Sequence, residues 1–368
     1  MSKLRVVFRA DASLTIGSGH IMRCLTLADA LVARGAECTF ICREHPGHLV
    51  EHIRARGHGV RALANRKESS GENAHSNYAA WLGTSQEEDA RACVQWIKGL
   101  NPHWVVVDHY AMNSEWHRII RPYTKALMAI DDLCDREYDV DLLLDQNLGR
   151  TESDYLDLVT LDCNVLAGTR YALLRPEFAE WRRGYSESPG RMVKKVLITM
   201  GGMDPYNATG ASLKALSSLE TPRDFRITVV MGENAQWLEQ VRAQAVTLPW
   251  SVEVRTGVRN MAELMANHDL AIGAAGSTSW ERCCMGLPTV MVVLADNQSY
   301  IAEGLAAAGA AVIARLDSTD EERHSIRSQV QTLLEHPETL EKIRRRAADL
   351  VDGEGTDRVV HEMLRVLS

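Results

Sequence analysis

Arg9-Ala-Asp-Ala-Ser-Leu-Thr-Ile-Gly-Ser-Gly-His20-Ile-Met-Arg23 stands between the apolar run Leu4 to Phe8 and a segment with apolar residues at Ile21, Cys24, Leu25, Ala28, Leu31 and Val32. The order is strand, glycine loop, helix. Gly35 ends the helix and Cys38 to Cys42 supplies a second apolar run, so the unit reads as a right-handed parallel crossover. Gly17 and Gly19 permit positive φ and a close approach of backbone to ligand, while Ser18 and the free N–H groups of the following helix can face an anion. His20 begins that helix and suits general acid or base work near neutral pH. A surface loop whose histidine only caps the helix accounts for the same residues, and Gly-x-Gly alone does not decide.

The alternation continues through Trp104 to Val107, Ala126 to Ile130 and Leu142 to Leu144, three strands that empty into Asp108-His109-Tyr110, Asp131-Asp132 and Asp145-Gln146-Asn147. Loops at the carboxyl ends of parallel strands are where ligands bind. Arg66 to Glu88 reads as a loop or partly helical excursion, with Tyr78 and Trp81 as packing residues. Gly184, Ser186, Ser188, Pro189 and Gly190 then cluster among charges and mark a domain boundary.

The second half restarts the pattern with strand Lys195 to Met200, loop Gly201-Gly202-Met203-Asp204-Pro205 and a helix from about Ala208. Further strands fit Arg226 to Met231, Val252 to Arg255, Leu270 to Gly273, Thr289 to Leu294 and Ala311 to Ala314. The expectation is an α/β chain of two Rossmann-like domains with parallel sheets facing a central cleft, residues 1–182 and 183–355. A last helix, residues 356–368, carries an apolar stripe of Val359, Val360, Met363, Leu364 and Leu367 suited to packing back on the first domain.

A length of 368 residues suits two domains, and a formal net charge of -8 without a Lys/Arg block argues against nucleic acid or anionic membrane as partner. No apolar run is long enough to cross a bilayer. The eight cysteines are scattered, without a Cys-x-x-Cys pair, and Met1-Ser-Lys-Leu-Arg leads straight into a strand, so a reduced, cytoplasmic protein is expected. Nothing sets the oligomeric state, and a monomer is the working expectation.

Ile272-Gly273-Ala-Ala-Gly276-Ser277-Thr278-Ser279-Trp280-Glu281-Arg282-Cys-Cys-Met-Gly286-Leu-Pro288 is the more specific stretch. Gly276, Ser277 and Thr278 can present N–H groups and hydroxyls to a diphosphate at a helix start. Glu281, about one turn in, can accept hydrogen bonds from vicinal ribose hydroxyls. Capping by Ser277 to Ser279, with Glu281 favouring the helix dipole, is the structural alternative. Asn297 and Gln298, after the next strand, suit sugar hydroxyls or acetamido groups, or start the helix at Ser299.

With both constellations quoted, together with Gly168-Thr-Arg-Tyr171-Ala-Leu-Leu-Arg175, the chain resembles over essentially its whole length the UDP-sugar hydrolases of pseudaminic acid biosynthesis. These release UDP from UDP-2,4-diacetamido-2,4,6-trideoxy-β-L-altrose. Met203 departs from the small polar residue expected in that loop. The family is similar in fold to the two-domain GT-B glycosyltransferases, which implies a C-terminal nucleotide domain and an N-terminal catalytic one. The resemblance implies His20 as the catalytic histidine, with Tyr110 and Asn297 near the sugar and the attacking water. Arg9, Asp11, Gly17, Ser18, Gly19, Arg23, Gly201, Gly202, Gly276, Ser277, Thr278, Glu281 and Gln298 are the expected substrate-binding residues.

The chemistry expected is attack of water on the anomeric carbon with C–O cleavage and inversion. The sequence shows no clear metal-binding cluster beside Asp131-Asp132 or Asp141 and Asp145, so no metal and no cofactor are expected. His20 would deprotonate the water, with Asp11 as an orienting partner. A glycosyltransferase, a hydrolysing 2-epimerase and a non-catalytic nucleotide-sugar-binding protein are the alternatives.

Overall fold

The computed structural model describes residues 3–65, 78–184, 192–219, 224–295, 298–316 and 325–368. The chain divides into two compact units, Met1–Leu173 with Glu354–Ser368, and Leu174–Gly353.

The first unit is built on seven parallel strands in the order β3-β2-β1-β4-β5-β6-β7. They are β1 Arg5–Ala10, β2 Glu37–Arg43, β3 Gly59–Leu63, β4 Trp104–Asp108, β5 Ala126–Ile130, β6 Leu142–Asp145 and β7 Asn164–Ala167. The inner strands are continuous apolar runs because helices cover both faces. One face gathers Phe8, Phe40, Trp104 and Met128 against the helix Gly19–Val32, and the other gathers Val105, Ile97 and Trp116.

The helix Gly355–Val366 belongs to this unit, placing Val359, Val360 and Met363 in the first core while Trp104 Nε1 donates to the Met363 carbonyl at 3.2 Å. Gly355 is required there, since a Cβ would lie 2.4 Å from the Ala172 carbonyl oxygen.

The second unit holds six parallel strands, β10-β9-β8-β11-β12-β13. These are β8 Lys195–Thr199, β9 Arg226–Met231, β10 Ser251–Thr256, β11 Leu270–Ala274, β12 Thr289–Val292 and β13 Val312–Ala314. The boundary falls earlier than the expected 182/183. The helix Pro176–Arg183 packs in the second unit, with Phe178 fully buried and Arg182 donating to the Cys284 and Ala348 carbonyls at 3.0 and 2.6 Å.

Both sheets reverse their strand order beside the first strand of the unit, between β1 and β4 and between β8 and β11. Such switch points open a crevice at the carboxyl ends of the strands. Both glycine loops of interest follow switch-point strands. No helix among the described residues is long and apolar enough to cross a membrane.

Candidate functional site

In the first unit the chain leaves β1 into a tight turn. Gly17 N–H donates to the Ser13 carbonyl at 2.9 Å, Ser13 Oγ accepts from Thr15 and Ile16, and Gly17 takes φ +81°. Ser18 caps the helix by position only, its side chain making no capping bond. The turn delivers His20 and, one helical turn on, Arg23 to the end of β4.

There His20 Nδ1 lies 2.6 Å from Asp108 Oδ1, and Arg23 grips the same carboxylate with Nε and Nη2, both at 2.7 Å. Asp108 is fully buried; burial lifts its pKa, but Arg23 and then His20 outweigh this and hold it well below the usual carboxylate range. An ionised carboxylate only accepts, so neutral His20 keeps its hydrogen on Nδ1 and leaves Nε2 with a lone pair. That is the tautomer of a general base.

Arg23 Nη1 also reaches Asp132 Oδ1 at 2.9 Å, and Tyr110 donates its hydroxyl to Asp132 Oδ2 at 2.7 Å. Burial, then Asp132, push the Tyr110 phenol well above its ordinary range, so it stays protonated. Its ring stands edge-on to His20 at 4.6 Å and stacks on Trp81 at 5.6 Å, with Tyr78 5.0 Å away. Tyr78 and Trp81, read from sequence as packing, thus wall this site. The signal was an aromatic pair at the end of a polar stretch.

Arg9 and Asp11 do not line an open site. Both are fully buried, Arg9 forked on Asp89 at 3.0 and 2.7 Å and 2.6 Å from Asp11, whose Oδ1 accepts from Arg43 N–H at 2.6 Å. They fix the ends of β1 and β2 to each other and to the helix Gln86–Leu100. The orienting partner of His20 is therefore Asp108 and not Asp11, which instead faces His45 and His109 at 3.7 and 3.6 Å. Burial pushes His109 down to about 3, so it is neutral there.

In the second unit Gly201 takes φ +88° after β8, and the Gly202 carbonyl oxygen lies 2.1 Å from where a Cβ on Gly232 would stand. Asp204 fixes this loop by accepting from Ala208 and Thr209 N–H at 2.8 and 2.9 Å. After β11, Gly276 and Ser277 lead into the helix Thr278–Cys284, and Ser277 makes no capping bond. Beneath the turn lies Arg282, 1% exposed, donating to Thr278 Oγ1 at 3.1 Å, the Ala274 carbonyl at 2.8 Å and Ser279 Oγ at 3.1 Å. A Cβ on Gly273 would meet Arg282 Nη1 at 2.6 Å.

Glu281 is partly exposed, and its nearest cation, Arg175 Nη2, is 3.8 Å away. Burial pushes its pKa up to about 7 despite Arg175. Gln298 turns its Oε1 to the backbone N–H of Leu294 at 3.0 Å, a structural engagement at the start of the helix Ser299–Ala307. Asn297 lies outside the described residues. Among the described residues no group of His, Cys, Asp and Glu is arranged to hold a metal ion.

Residues 196–355 match the glycosyltransferase family 28 C-terminal domain. The chain is 27% identical to the UDP-2,4-diacetamido-2,4,6-trideoxy-beta-L-altropyranose hydrolase of Campylobacter jejuni, covering 83% of this chain and 97% of that one. An uncharacterized Methanocaldococcus jannaschii protein is 25% identical over 80% of this chain, which spans only 56% of that relative's length. The crystal structure of Acinetobacter baumannii MurG superposes with a TM-score of 0.68 at 17% identity, covering 99% of this chain and 100% of that one. The chain thus has a GT-B-like fold, and its residues 196–355 are similar to the glycosyltransferase family 28 C-terminal domain.

Proposed function

We propose that the protein is a UDP-sugar hydrolase that releases UDP from UDP-2,4-diacetamido-2,4,6-trideoxy-β-L-altrose. The observation that carries this reading is the Asp108–His20 pair at 2.6 Å, locked by the Arg23 fork and walled by Tyr110 and Trp81. The Campylobacter relative, 97% of which this chain covers, supports the substrate.

In the proposed step His20 Nε2 takes a proton from water as the water oxygen bonds to the anomeric carbon. The bond from that carbon to the β-phosphate oxygen breaks, and its electron pair leaves with UDP. The sugar inverts at that carbon. On the second unit Glu281 takes the ribose hydroxyls and the Gly276–Thr278 backbone the diphosphate, whose developing charge a helix start stabilises. Gly17, Ser18 and Gly19 are assigned backbone and hydroxyl contacts to the sugar, and Asn297 is assigned to the sugar and the attacking water.

Hydrolysis in oxygen-18 water tests the bond broken. Label in the free sugar is expected; label in UDP or UMP overturns the proposal. The family 28 match favours a second reading, transfer to an acceptor other than water. UDP release without acceptor, at the rate seen with candidate acceptors present, rejects it.

A further inference from the structure

The carboxyl ends of β5 and β6 bring Asp131 and Asp145 together around one phenol, with Asp132 linked to Asp145 through Asn147. The Tyr155 hydroxyl lies 2.8 Å from Asp131 Oδ2 and 2.7 Å from Asp145 Oδ2. A phenol has one hydrogen and satisfies one acceptor as donor. Two ionised carboxylates at these distances would leave one oxygen pair in contact with no hydrogen between them, so a second hydrogen belongs on one carboxyl. Burial raises the Tyr155 pKa and keeps the phenol from supplying charge of its own.

Asp131 is not the holder. Arg136 Nη2 donates to its Oδ1 at 2.9 Å and Cys134 N–H donates to Oδ2 at 2.7 Å; burial works against the charge, but Arg136 together with the Tyr138 hydroxyl, the Cys134 N–H and the Tyr155 hydroxyl outweighs it and lowers the pKa. Asp145 is therefore the holder. It is fully buried; Asn147 N–H and Nδ2 donate to its Oδ1 at 2.9 and 2.8 Å and Arg150 Nε stands 3.1 Å from its Oδ2, contacts that favour the carboxylate and work against burial and the neighbouring negative charges. Asp131 and Asp132 face it with negative charge and Cys134 stands nearby; burial, then Asp132, push its pKa up to about 7.

The hydrogen matters to the His20 site through Asn147. Its Nδ2 bridges Asp145 Oδ1 at 2.8 Å and Asp132 Oδ1 at 3.1 Å, and Asp132 is the acceptor that holds both Tyr110 and Arg23. The amide has a hydrogen for each of these oxygens, but an ionised Asp145 would repel both neighbouring carboxylates and push Asp132 away from the bridge. We propose that Asp145 is a positioning residue that works as a neutral carboxylic acid, giving its hydrogen to Tyr155 and thereby keeping Asn147 in the bridge that fixes Asp132 beneath Tyr110 and Arg23. The activity readout rests on the hydrolase reading; the protonation readout does not.

Thermal unfolding of the full chain between pH 5 and 9, compared between wild type and Asp145→Asn, reads the protonation. A carboxyl whose folded pKa exceeds its unfolded value contributes stability that is fully present below the unfolded pKa and is lost as pH rises through the folded one, here about 7. Wild type should lose more melting temperature through that window than Asp145→Asn, which keeps a neutral donor and retains only the slope contributed by other groups such as Glu281. The same variant should keep UDP release within about threefold of wild type at pH 6 and lose the basic inflection near pH 7, whereas Asp145→Ala should lose tenfold or more in kcat. Parallel unfolding profiles of wild type and Asp145→Asn, or an Asn variant as inactive as the Ala variant, overturn the proposal. If Asp145→Asn does not fold, Tyr155→Phe decides: an unmoved midpoint of the wild-type transition overturns the shared hydrogen. Absence of UDP release by wild type would sink the hydrolase reading and leave the unfolding result to decide Asp145.

Discussion

The two switch-point corners are built from the same local grammar, strand, glycine turn and helix, yet their charges are treated oppositely. At the end of β1 and β4, His20, Arg23, Asp108, Asp132 and Tyr110 are joined to one another at 2.6 to 2.9 Å. At the end of β11, Glu281 has Arg175 only at 3.8 Å, and Ser277 makes no capping bond. The first corner is fixed before any ligand arrives, as a site that moves a proton requires. The second leaves an acceptor half-satisfied, as a site that takes its partners from the ligand does. Changes in the first corner should therefore fall on kcat, and changes in the second on affinity.

The largest effect is expected from His20→Asn, which keeps volume and polarity while removing the base. Turnover should fall by roughly two to four orders of magnitude, with UDP binding by calorimetry unchanged. Turnover near wild type would take His20 out of the mechanism and dissolve the contrast between the corners.

Asp108→Asn comes next. The amide no longer compels Nδ1 to carry the hydrogen, so kcat should fall about a hundredfold with KM little altered. It also leaves the Arg23 guanidinium buried without its fork, and stability should fall by roughly 3–5 kcal/mol in denaturant titration, the cost of breaking a buried ion pair. A stability loss with intact kcat would make Asp108 a structural partner only.

The corners were legible in the sequence to different depths. Interior strands announce themselves because burial on both faces demands unbroken apolar runs, as in Val105-Val106-Val107. The edge strands β3 and β7 were missed: Gly59–Leu63 carries Arg61 at its centre, and Asn164–Ala167 is only four residues long. The position of each acid at a strand end could be read, but its partner could not. His20 pairs with an aspartate 88 residues away, while Asp11, close by in the chain, turns inward because β2 offers it the Arg43 N–H. Sequence distance ranks partners poorly where parallel strands bring distant loops side by side. The place of Glu281 on the helix Thr278–Cys284 was legible, because a short helix after a strand end needs only its local spacing to be recognised.

Glu281 gives the smallest effect and the sharpest test of the contrast. To accept hydrogen bonds from two ribose hydroxyls it must be ionised, yet burial has pushed its pKa up to about 7 in the unliganded protein. Binding should therefore weaken as pH falls below 7, approaching tenfold per pH unit, and level off above it. Uridine is the ligand to use, since the phosphates of UDP titrate in the same range. Glu281→Gln should cost roughly tenfold to a hundredfold in uridine affinity at pH 8 and remove the pH dependence, while kcat at saturation holds. A variant that loses kcat and keeps affinity would show that the second corner serves the chemical step just as the first does, and that the difference in how their charges are paired has another origin.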